Sequence, residues 1–241
     1  MITIEELRVD YDSVTAVAEV NLAVNAGEIC GLVGPNGAGK TSLIKAVAGL
    51  IEPTGGKVIM AGADMAVNPR DGWQHMGYMP DFSSVYEDLK VWEYLEVFAV
   101  AYKIPSEERM TRIKYWVERL NLEQKWDEFI RNLSRGMRQR LVLAKTLLHD
   151  PDILLLDEPA SGMDPLARID LRDILKERAK SGAAILISSH ILSDMDELCT
   201  NLAVMEKGMF LVSGSLDEIR QARQSRSMIQ IHLLPPVDTA L

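Results

Sequence analysis

A short glycine-rich motif near the N-terminus contains residue types that bind phosphate. Residues 34–41 read GPNGAGKT and match G-x-x-x-x-G-K-[ST], the pattern of a loop that binds nucleotide phosphates. Its glycines allow backbone N–H groups to point at phosphate oxygens, and the N-terminus of a following helix adds partial positive charge. The residues predicted to bind nucleotide, together with the serine after the motif, are Gly34, Pro35, Asn36, Gly37, Ala38, Gly39, Lys40, Thr41 and Ser42.

The residues on either side of the motif predict the structure that such a loop requires. Residues 28–33 (EICGLV) are typical of a short buried strand, and residues 42–50 (SLIKAVAGL) are typical of a helix. In a strand, loop and helix of this order, Lys40 can reach the β and γ phosphates, and the Thr41 hydroxyl can hold Mg²⁺. We therefore expect a nucleoside triphosphate and Mg²⁺ to bind here.

Two adjacent acids follow an apolar run in the second half of the chain. Residues 153–156 (ILLL) are typical of a strand buried on both faces, and Asp157 and Glu158 come directly after them. At the end of such a strand Asp157 can hold Mg²⁺, while Glu158 can polarise a water molecule for in-line attack on the γ phosphate. Together with the glycine-rich loop, this pair predicts hydrolysis of the bound nucleotide.

The composition of the chain limits which partners it can bind and where in the cell it is expected. The formal net charge of the 241 residues is −9, so no basic excess is available to neutralise nucleic-acid phosphates, and no nucleic-acid partner is expected; a local basic patch stays open. Cys30 and Cys199 lie far apart and suggest no disulfide framework. The N-terminus lacks the pattern of a signal peptide, and no stretch reaches the length of a transmembrane helix. A cytosolic location is expected.

The order of predicted elements indicates an α/β fold with a mostly parallel sheet. Asp164 and Pro165 predict the cap and first residue of a helix that runs to about Lys180. Apolar spacing predicts two further helices, one around Val91 to Tyr102 and one from Ser106. Strands are predicted at 57–61, 77–80, 153–156, 184–187, 202–205 and 209–212, the last two as a hairpin.

Aromatic residues are concentrated in the middle of the chain. Twelve of the fourteen lie between Trp73 and Phe129, which predicts a mostly helical insert at 81–150 with its own packing. Two interpretations of this cluster stay open: core filling, or a partner-binding groove that includes Phe82, Val85, Tyr86 and Leu89. The predicted division is an ATP-binding α/β core at 1–80 and 151–215, the helical subdomain at 81–150, and a C-terminal tail at 216–241. The tail is either a short docking segment or part of an accessory region.

Further motifs complete a resemblance to a known family over about residues 1–215. LSRGMRQRL at 133–141, LLLDEP at 154–159, SGMD at 161–164 and a lone histidine after ISS accompany GPNGAGKT. In order and spacing they resemble the nucleotide-binding subunit of an ATP-binding cassette (ABC) transporter. The resemblance implies a P-loop NTPase fold with an N-terminal antiparallel β part, ATP and Mg²⁺ as ligands, and ATPase activity.

The resemblance also implies roles for residues outside the phosphate loop. Tyr11 would stack on the adenine, although a surface tyrosine near a turn is the alternative. Glu158 would be the catalytic base, and His190 would contact the γ phosphate and help to position the attacking water. Ser161 and Asp164 correspond to a D-loop that bridges two subunits. The signature motif, which would cover the γ phosphate bound to a second, antiparallel chain, comprises Ser134, Arg135, Gly136 and Met137.

Three positions depart from the pattern of the family. Asp81 stands where the family usually has Gln, and it remains a plausible Mg²⁺ ligand because carboxylates bind this ion. Arg135 and Met137 replace Gly and Gln in the signature motif. Arg135 would either add a positive charge near the opposing nucleotide or face solvent.

The resemblance implies a subunit that powers transport through a separate multi-span membrane protein. It would work at the inner face of the cell membrane as a homodimer or cassette heterodimer in the ATP-bound state. Export is favoured by the likeness of GYMPDF and LSRGM to exporter cassettes. The alternatives are a soluble ABC-type ATPase acting on the ribosome or DNA, and a non-catalytic regulatory cassette. The chain has a single set of motifs and no sustained heptads between Lys40 and Asp157, which disfavours an ATPase that acts on the ribosome or DNA. The presence of Lys40, Glu158 and His190 disfavours a non-catalytic cassette.

Overall fold

The computed structural model describes residues 1–81 and 85–219 of the chain. Phe82 and most of the predicted tail therefore lie outside the described residues. In chain order, the strands are β1 (Ile2–Tyr11), β2 (Val14–Val24), β3 (Ile29–Val33), β4 (Gly55–Met60), β5 (Ala63–Asp64), β6 (Met76–Met79), β7 (Ile153–Leu156), β8 (Ala184–Ser189), β9 (Asn201–Glu206) and β10 (Met209–Ser215).

The helices fall between these strands. They are α1 (Lys40–Val47), α2 (Pro69–Trp73), α3 (Val91–Ala101), α4 (Ser106–Arg119), α5 (Arg135–Leu147), α6 (Pro165–Lys180) and α7 (Leu192–Asp196). The Asp164 side chain accepts a hydrogen bond from the Ala167 N–H, and Pro165 occupies the first turn, so α6 begins where the sequence predicts. No helix within the described ranges combines the length and apolar character needed to span a bilayer.

The larger sheet has the strand order β10-β9-β3-β8-β7-β6. Strands β9, β3, β8, β7 and β6 run parallel, and β10 pairs antiparallel with β9 at one edge. Every residue of β3, β7 and β8 is buried, which explains their continuous apolar sequences. Parallel order brings the carboxyl ends of β3, β7 and β8 to the same edge, where the phosphate loop, the acids and His190 follow.

The smaller sheet is antiparallel, with the order β2-β1-β4-β5. Its apolar residues and α1 share a core with one face of the larger sheet, including Cys30 and Leu32 of β3. Ile29 and Val33 point to the opposite face, where α3, α4, α5 and α6 contribute to a second core. The larger sheet thus lies between an antiparallel layer and a helical layer, and the predicted fold class is confirmed.

The aromatic cluster divides between buried and exposed side chains. On α3, Tyr94 is buried and its ring lies 4.9 Å from that of Phe98. Val85 and Leu89 pack partly buried against the helical core, which fits core filling. Tyr86 is exposed, so one member of the predicted groove does face solvent. The predicted division into subdomains stays a prediction.

Candidate functional site

The glycine-rich loop connects β3 to α1, as the sequence predicts. Gly39 lies immediately before α1 with φ 107°, a conformation that side-chain-bearing residues rarely adopt. A Cβ atom on Gly39 would lie 2.2 Å from the Ala16 carbonyl oxygen, and one on Gly34 would lie 2.2 Å from that of Met205. Both glycines are therefore required by close backbone packing, which holds the loop against β2 and β9.

Lys40 is the first residue of α1, and its side chain points into the loop. The side chain is 6% exposed, and its Nζ donates hydrogen bonds to the carbonyl oxygens of Gly34 at 2.7 Å and Pro35 at 3.2 Å. The same Nζ lies 3.7 Å from Oε1 of Glu158. One buried cation thus connects the phosphate loop with the second acid of the strand end.

An open cleft of about 470 Å³ lies over the loop. We call it the nucleotide cleft, and it is lined by Tyr11, Val14, Thr15, Ala16, residues 36–42, Asp81, Glu158, Lys207 and Gly208. The structure therefore brings Tyr11 and Asp81 to the same cleft as the phosphate loop. Tyr11 is 46% exposed, and Asp81 is exposed as well. Their positions fit the predicted contacts, whose roles remain proposals.

Part of the wall comes from a turn for which the sequence indicated no role. Lys207 and Gly208 join β9 to β10 with positive φ values of 48° and 82°, which is typical of a tight hairpin turn. The Gly208 N–H donates to the Ala38 carbonyl oxygen at 2.9 Å. The hairpin was predictable from the Lys-Gly pair, but its contact with the phosphate loop depends on the strand order of the sheet.

The two acids after β7 lie in different environments. Asp157 is 1% exposed, and its Oδ1 accepts a 2.6 Å hydrogen bond from the Ser188 hydroxyl. Glu158 is 14% exposed and faces the cleft, where its Oε2 lies 2.8 Å from Nδ1 of His190. The pKa of the neighbouring Tyr78 hydroxyl is raised to about 12. The larger cause is burial of Tyr78, and the smaller cause is the negative charge of Asp157.

The residues near Asp157 fit the requirements of Mg²⁺. Its Oδ2 is buried and has no hydrogen-bond partner among the described residues, so one carboxylate oxygen is left for a ligand. Mg²⁺ prefers oxygen donors and is usually bound by one or two carboxylates, substrate phosphates and water. Thr41, which lines the cleft, carries a hydroxyl oxygen of the kind that Mg²⁺ prefers. Within residues 1–81 and 85–219 no group of three or more His, Cys, Asp or Glu could hold a metal by itself.

The signature motif lies outside the cleft and contacts the predicted D-loop of the same chain. Ser134 caps α5 by accepting the Met137 N–H at 3.3 Å. A Cβ atom on Gly136 would lie 2.9 Å from the Gly162 carbonyl oxygen, so the two segments pack closely. Arg140 forms an ion pair with Asp164. The pKa of Asp164 is lowered mainly by the hydrogen bond from the Ala167 N–H and to a smaller extent by the charge of Arg140.

Arg135 is exposed to solvent, and its predicted place near an opposing nucleotide stays a prediction. Its Nη2 donates a 2.8 Å hydrogen bond to Oγ of Ser161, and its side chain lies against Gly162. The arginine therefore connects the signature motif with the D-loop of its own chain. Met137 packs partly buried against the helical core. The signature residues and the D-loop form one continuous surface, named here the signature surface: Ser134, Arg135, Gly136, Met137, Ser161, Gly162 and Asp164.

Comparison with known proteins places the chain in a family. Residues 17–161 match the family model described as ABC transporter. The chain is 38% identical over 208 residues to an uncharacterized ABC transporter ATP-binding protein of Synechocystis sp., covering 86% of this chain and 58% of that protein. It is 33% identical over 219 residues to the Nod factor export ATP-binding protein I of Ralstonia nicotianae, covering 91% and 68%.

Solved structures agree with this placement. A structure described as the ATP-binding subunit of an ABC transporter superposes with a TM-score of 0.87 at 30% identity, covering 95% of both chains. The cassette MJ0796, a dimer in a post-hydrolysis state with ADP and Pi, shares the fold at 20% identity with a TM-score of 0.81, covering 90% of this chain and 99% of that one. The chain belongs to the ABC transporter family and is similar to its ATP-binding proteins. It spans 58% and 62% of the length of the first two curated relatives.

Proposed function

We propose that this chain binds ATP with Mg²⁺ in the nucleotide cleft, hydrolyses it between two cassettes, and thereby drives transport through a separate membrane-spanning subunit. The observation that carries the proposal is the chain of contacts from Lys40 to Glu158 at 3.7 Å and from Glu158 to His190 at 2.8 Å. It links a phosphate-binding cation, a carboxylate that faces the cleft, and an imidazole.

The proposed chemistry is in-line hydrolysis of the γ phosphate. Glu158 accepts a proton from the attacking water, since it is the acid that both faces the cleft and contacts a second polar side chain. Lys40 and the loop amides bind the β and γ phosphates, and His190 orients Glu158 and the water. Tyr11, which lines the same cleft, contacts the adenine.

The metal has a defined set of oxygen donors in this proposal. Asp157 and Thr41 hold Mg²⁺, and Asp81 contributes a further carboxylate from the cleft wall. When bound, Mg²⁺ neutralises charge that develops on the β and γ phosphates. The burial of Asp157 and its unpartnered Oδ2 support this assignment.

The signature surface supplies the other half of the site in a second chain. The N-terminus of α5 carries partial positive charge and a hydroxyl at Ser134, so it is suited to an anion such as the γ phosphate. None of its residues lines the nucleotide cleft of its own chain. ATP would therefore join two antiparallel cassettes, and its hydrolysis would release them. The dimeric state of MJ0796 is consistent with this arrangement.

The proposed partner is a multi-span membrane subunit, and the proposed direction is export. Relatives at 30–34% identity are named Nod factor export ATP-binding protein I and probable multidrug ABC transporter ATP-binding protein. We propose that the chain works in the cytoplasm at the inner face of the membrane, with residues 81–150 as a helical subdomain beside the α/β core. A soluble ABC-type ATPase acting on the ribosome or DNA is the alternative.

A pull-down from native membranes tests this function. The tagged chain is isolated in detergent, and co-purifying proteins are identified and quantified. We expect a multi-span membrane protein in a fixed ratio to the chain, in a preparation that hydrolyses ATP. Recovery of ribosomes or DNA instead of such a protein would contradict the transport proposal and leave the ATPase assignment intact. Untagged cells serve as the control for proteins that bind the resin.

A further inference from the structure

The hydroxyl of Ser188 lies between the two acids of the site. Ser188 is the fifth residue of β8 and is completely buried. Its Oγ is 2.6 Å from Oδ1 of Asp157 and 2.9 Å from the backbone nitrogen of Glu158. Because a hydroxyl has a single proton, that proton is donated to the carboxylate, and an oxygen lone pair accepts the Glu158 N–H. One atom therefore contacts both acids.

The first contact determines which oxygen of Asp157 is free. Oδ1 is engaged by the serine, whereas Oδ2 is buried and lacks a partner among the described residues. Loss of the hydroxyl would leave both oxygens without a donor, and the carboxylate could rotate about its last bond. The serine thus selects the oxygen that is presented to a cation.

The second contact acts on the backbone of Glu158. This residue has φ 49°, in the left-handed region that non-glycine residues rarely occupy. Its N–H is held by Ser188, and its carbonyl oxygen accepts the Ser161 N–H at 3.0 Å. These two bonds fix the peptide groups on both sides of the Glu158 Cα, from which the side chain extends toward Lys40 and His190. The direction of the carboxylate therefore depends on the serine.

We propose that Ser188 is a positioning residue for hydrolysis, acting on Asp157 and Glu158 at once. The proposal rests on the function proposed above and extends it, because Ser188 lines no part of the nucleotide cleft and touches no reacting atom. Outer partners of metal-ligating carboxylates typically change metal affinity or activity by about 10- to 100-fold when removed. Ser188 has the contacts of such a partner.

The neighbouring serine offers a matched control. Ser189 lies in the same strand and is also buried. Its Oγ accepts a hydrogen bond from the backbone N–H of Ile191 at 3.0 Å and lies 3.4 Å from the Ile191 carbonyl oxygen. Ser189→Ala removes a hydroxyl from the same strand without removing a contact to either acid. Differences between the two alanine variants therefore report on the acids and not on the strand.

The test compares Ser188→Ala, Ser188→Cys and Ser188→Thr with Ser189→Ala in steady-state ATP hydrolysis and in Mn²⁺ binding to the ATP complex, followed by electron paramagnetic resonance. For Ser188→Ala we expect kcat to fall by about 10-fold or more and Mn²⁺ to bind about 10-fold more weakly. KM for ATP should change less than kcat, because the phosphate loop is untouched. Thr, which keeps the hydroxyl, should recover most of kcat, while Cys, a weak donor of similar size, should be intermediate.

Several outcomes would overturn the role of Ser188. Unchanged kcat and Mn²⁺ affinity in Ser188→Ala would do so, and so would equal losses in Ser188→Ala and Ser189→Ala. Thermal unfolding of each variant shows whether it still folds. If Ser188→Ala does not fold, the near-isosteric Ser188→Cys variant is used instead. Wild-type kcat and Mn²⁺ affinity in Ser188→Cys would then reject the proposal. If the wild-type chain hydrolyses ATP and Ser188→Ala does so equally well, the role of Ser188 is rejected while the proposed ATPase function is not. If no membrane partner is recovered in the pull-down, the transport proposal fails but the role of Ser188 is unaffected.

Discussion

The nucleotide cleft and the signature surface differ in how their polar groups are used. Lys40 in the cleft and Asp157 next to Glu158 are buried, and each makes hydrogen bonds within the chain that fix its direction. On the signature surface, Ser134 and Arg135 are exposed, and their bonds run to their own helix cap and D-loop. In the proposed function, a single chain therefore fixes the groups of one half-site by itself, whereas the other half-site would act on a ligand that a second chain holds.

The largest expected effect is in the cleft. Glu158→Gln keeps the size of the side chain but removes the proposed base, so ATP hydrolysis should fall by about 100-fold or more. Binding of ATP should persist, because Lys40 and the loop amides remain. Steady-state phosphate release and ATP binding by fluorescence check the two parts. Glu52→Gln, an exposed acid after α1, is the matched control; hydrolysis that survives in Glu158→Gln would remove this residue from the mechanism.

The second prediction concerns the signature surface. Ser134→Asp keeps the helix cap, whose loss costs about 1 kcal/mol, but it places a negative charge toward the γ phosphate of the partner. Hydrolysis should fall by at least about 10-fold, which corresponds to about 1.4 kcal/mol of lost interaction. Ser134→Asn, a neutral residue that also caps helices, should be much less affected.

Mixing variants separates a shared site from a site within one chain. The Lys40→Ala chain has an intact signature surface, and the Ser134→Asp chain has an intact phosphate loop. Each variant alone should hydrolyse ATP at least about 10-fold more slowly than the wild type, whereas their mixture should recover part of the activity because one composite site is complete. Activity of Ser134→Asp alone at the wild-type level would mean that the comparison between the two regions is wrong.

A smaller effect is expected for the contact that connects the signature motif with the D-loop. Arg135→Ala and Ser161→Ala each remove the same 2.8 Å hydrogen bond. Because the arginine is exposed, we expect each variant to lower hydrolysis by only about 2- to 5-fold, and the double variant to be no worse than either. A double-mutant cycle on kcat measures this coupling; additive losses would show that the two residues act separately.

The smallest effect is expected at Asp81. Asp81→Ala should raise the Mg²⁺ concentration needed for half-maximal hydrolysis by about 2- to 3-fold, because Mg²⁺ loses one of several oxygen donors. Asp81→Gln, which restores the residue usual in the family, should hydrolyse ATP efficiently. An unchanged Mg²⁺ titration in Asp81→Ala would reject its role as a ligand.

Elements with strong local signals were predictable from the sequence. The apolar run at 153–156 coincides with β7, and the Asp164-Pro165 cap starts α6 at the predicted residue. The helix after the phosphate loop begins at Lys40, two residues earlier than predicted, because Gly39 supplies the non-helical residue before it. Local patterning thus located the chemistry but not each boundary.

Contacts that depend on sheet order were not predictable. Ser188 reaches the acids because β7 and β8 are parallel neighbours with Leu156 paired to Ile187, although 27 residues of loop and helix separate the strands. The direction of Arg135 depends on the close approach of Gly136 to Gly162. In each case the residue type was visible in the sequence, while its partner was set by the packing of distant elements.

The most direct test of the account is the mass of Glu158→Gln in solution, measured by light scattering with and without ATP and Mg²⁺. Without nucleotide, the mass should be that of one chain, 26.9 kDa. With saturating ATP and Mg²⁺, we expect twice that mass, because the signature surface of one chain covers the nucleotide held in the cleft of the other. A mass that stays at 26.9 kDa under these conditions would contradict the claim that two copies of this chain complete the site.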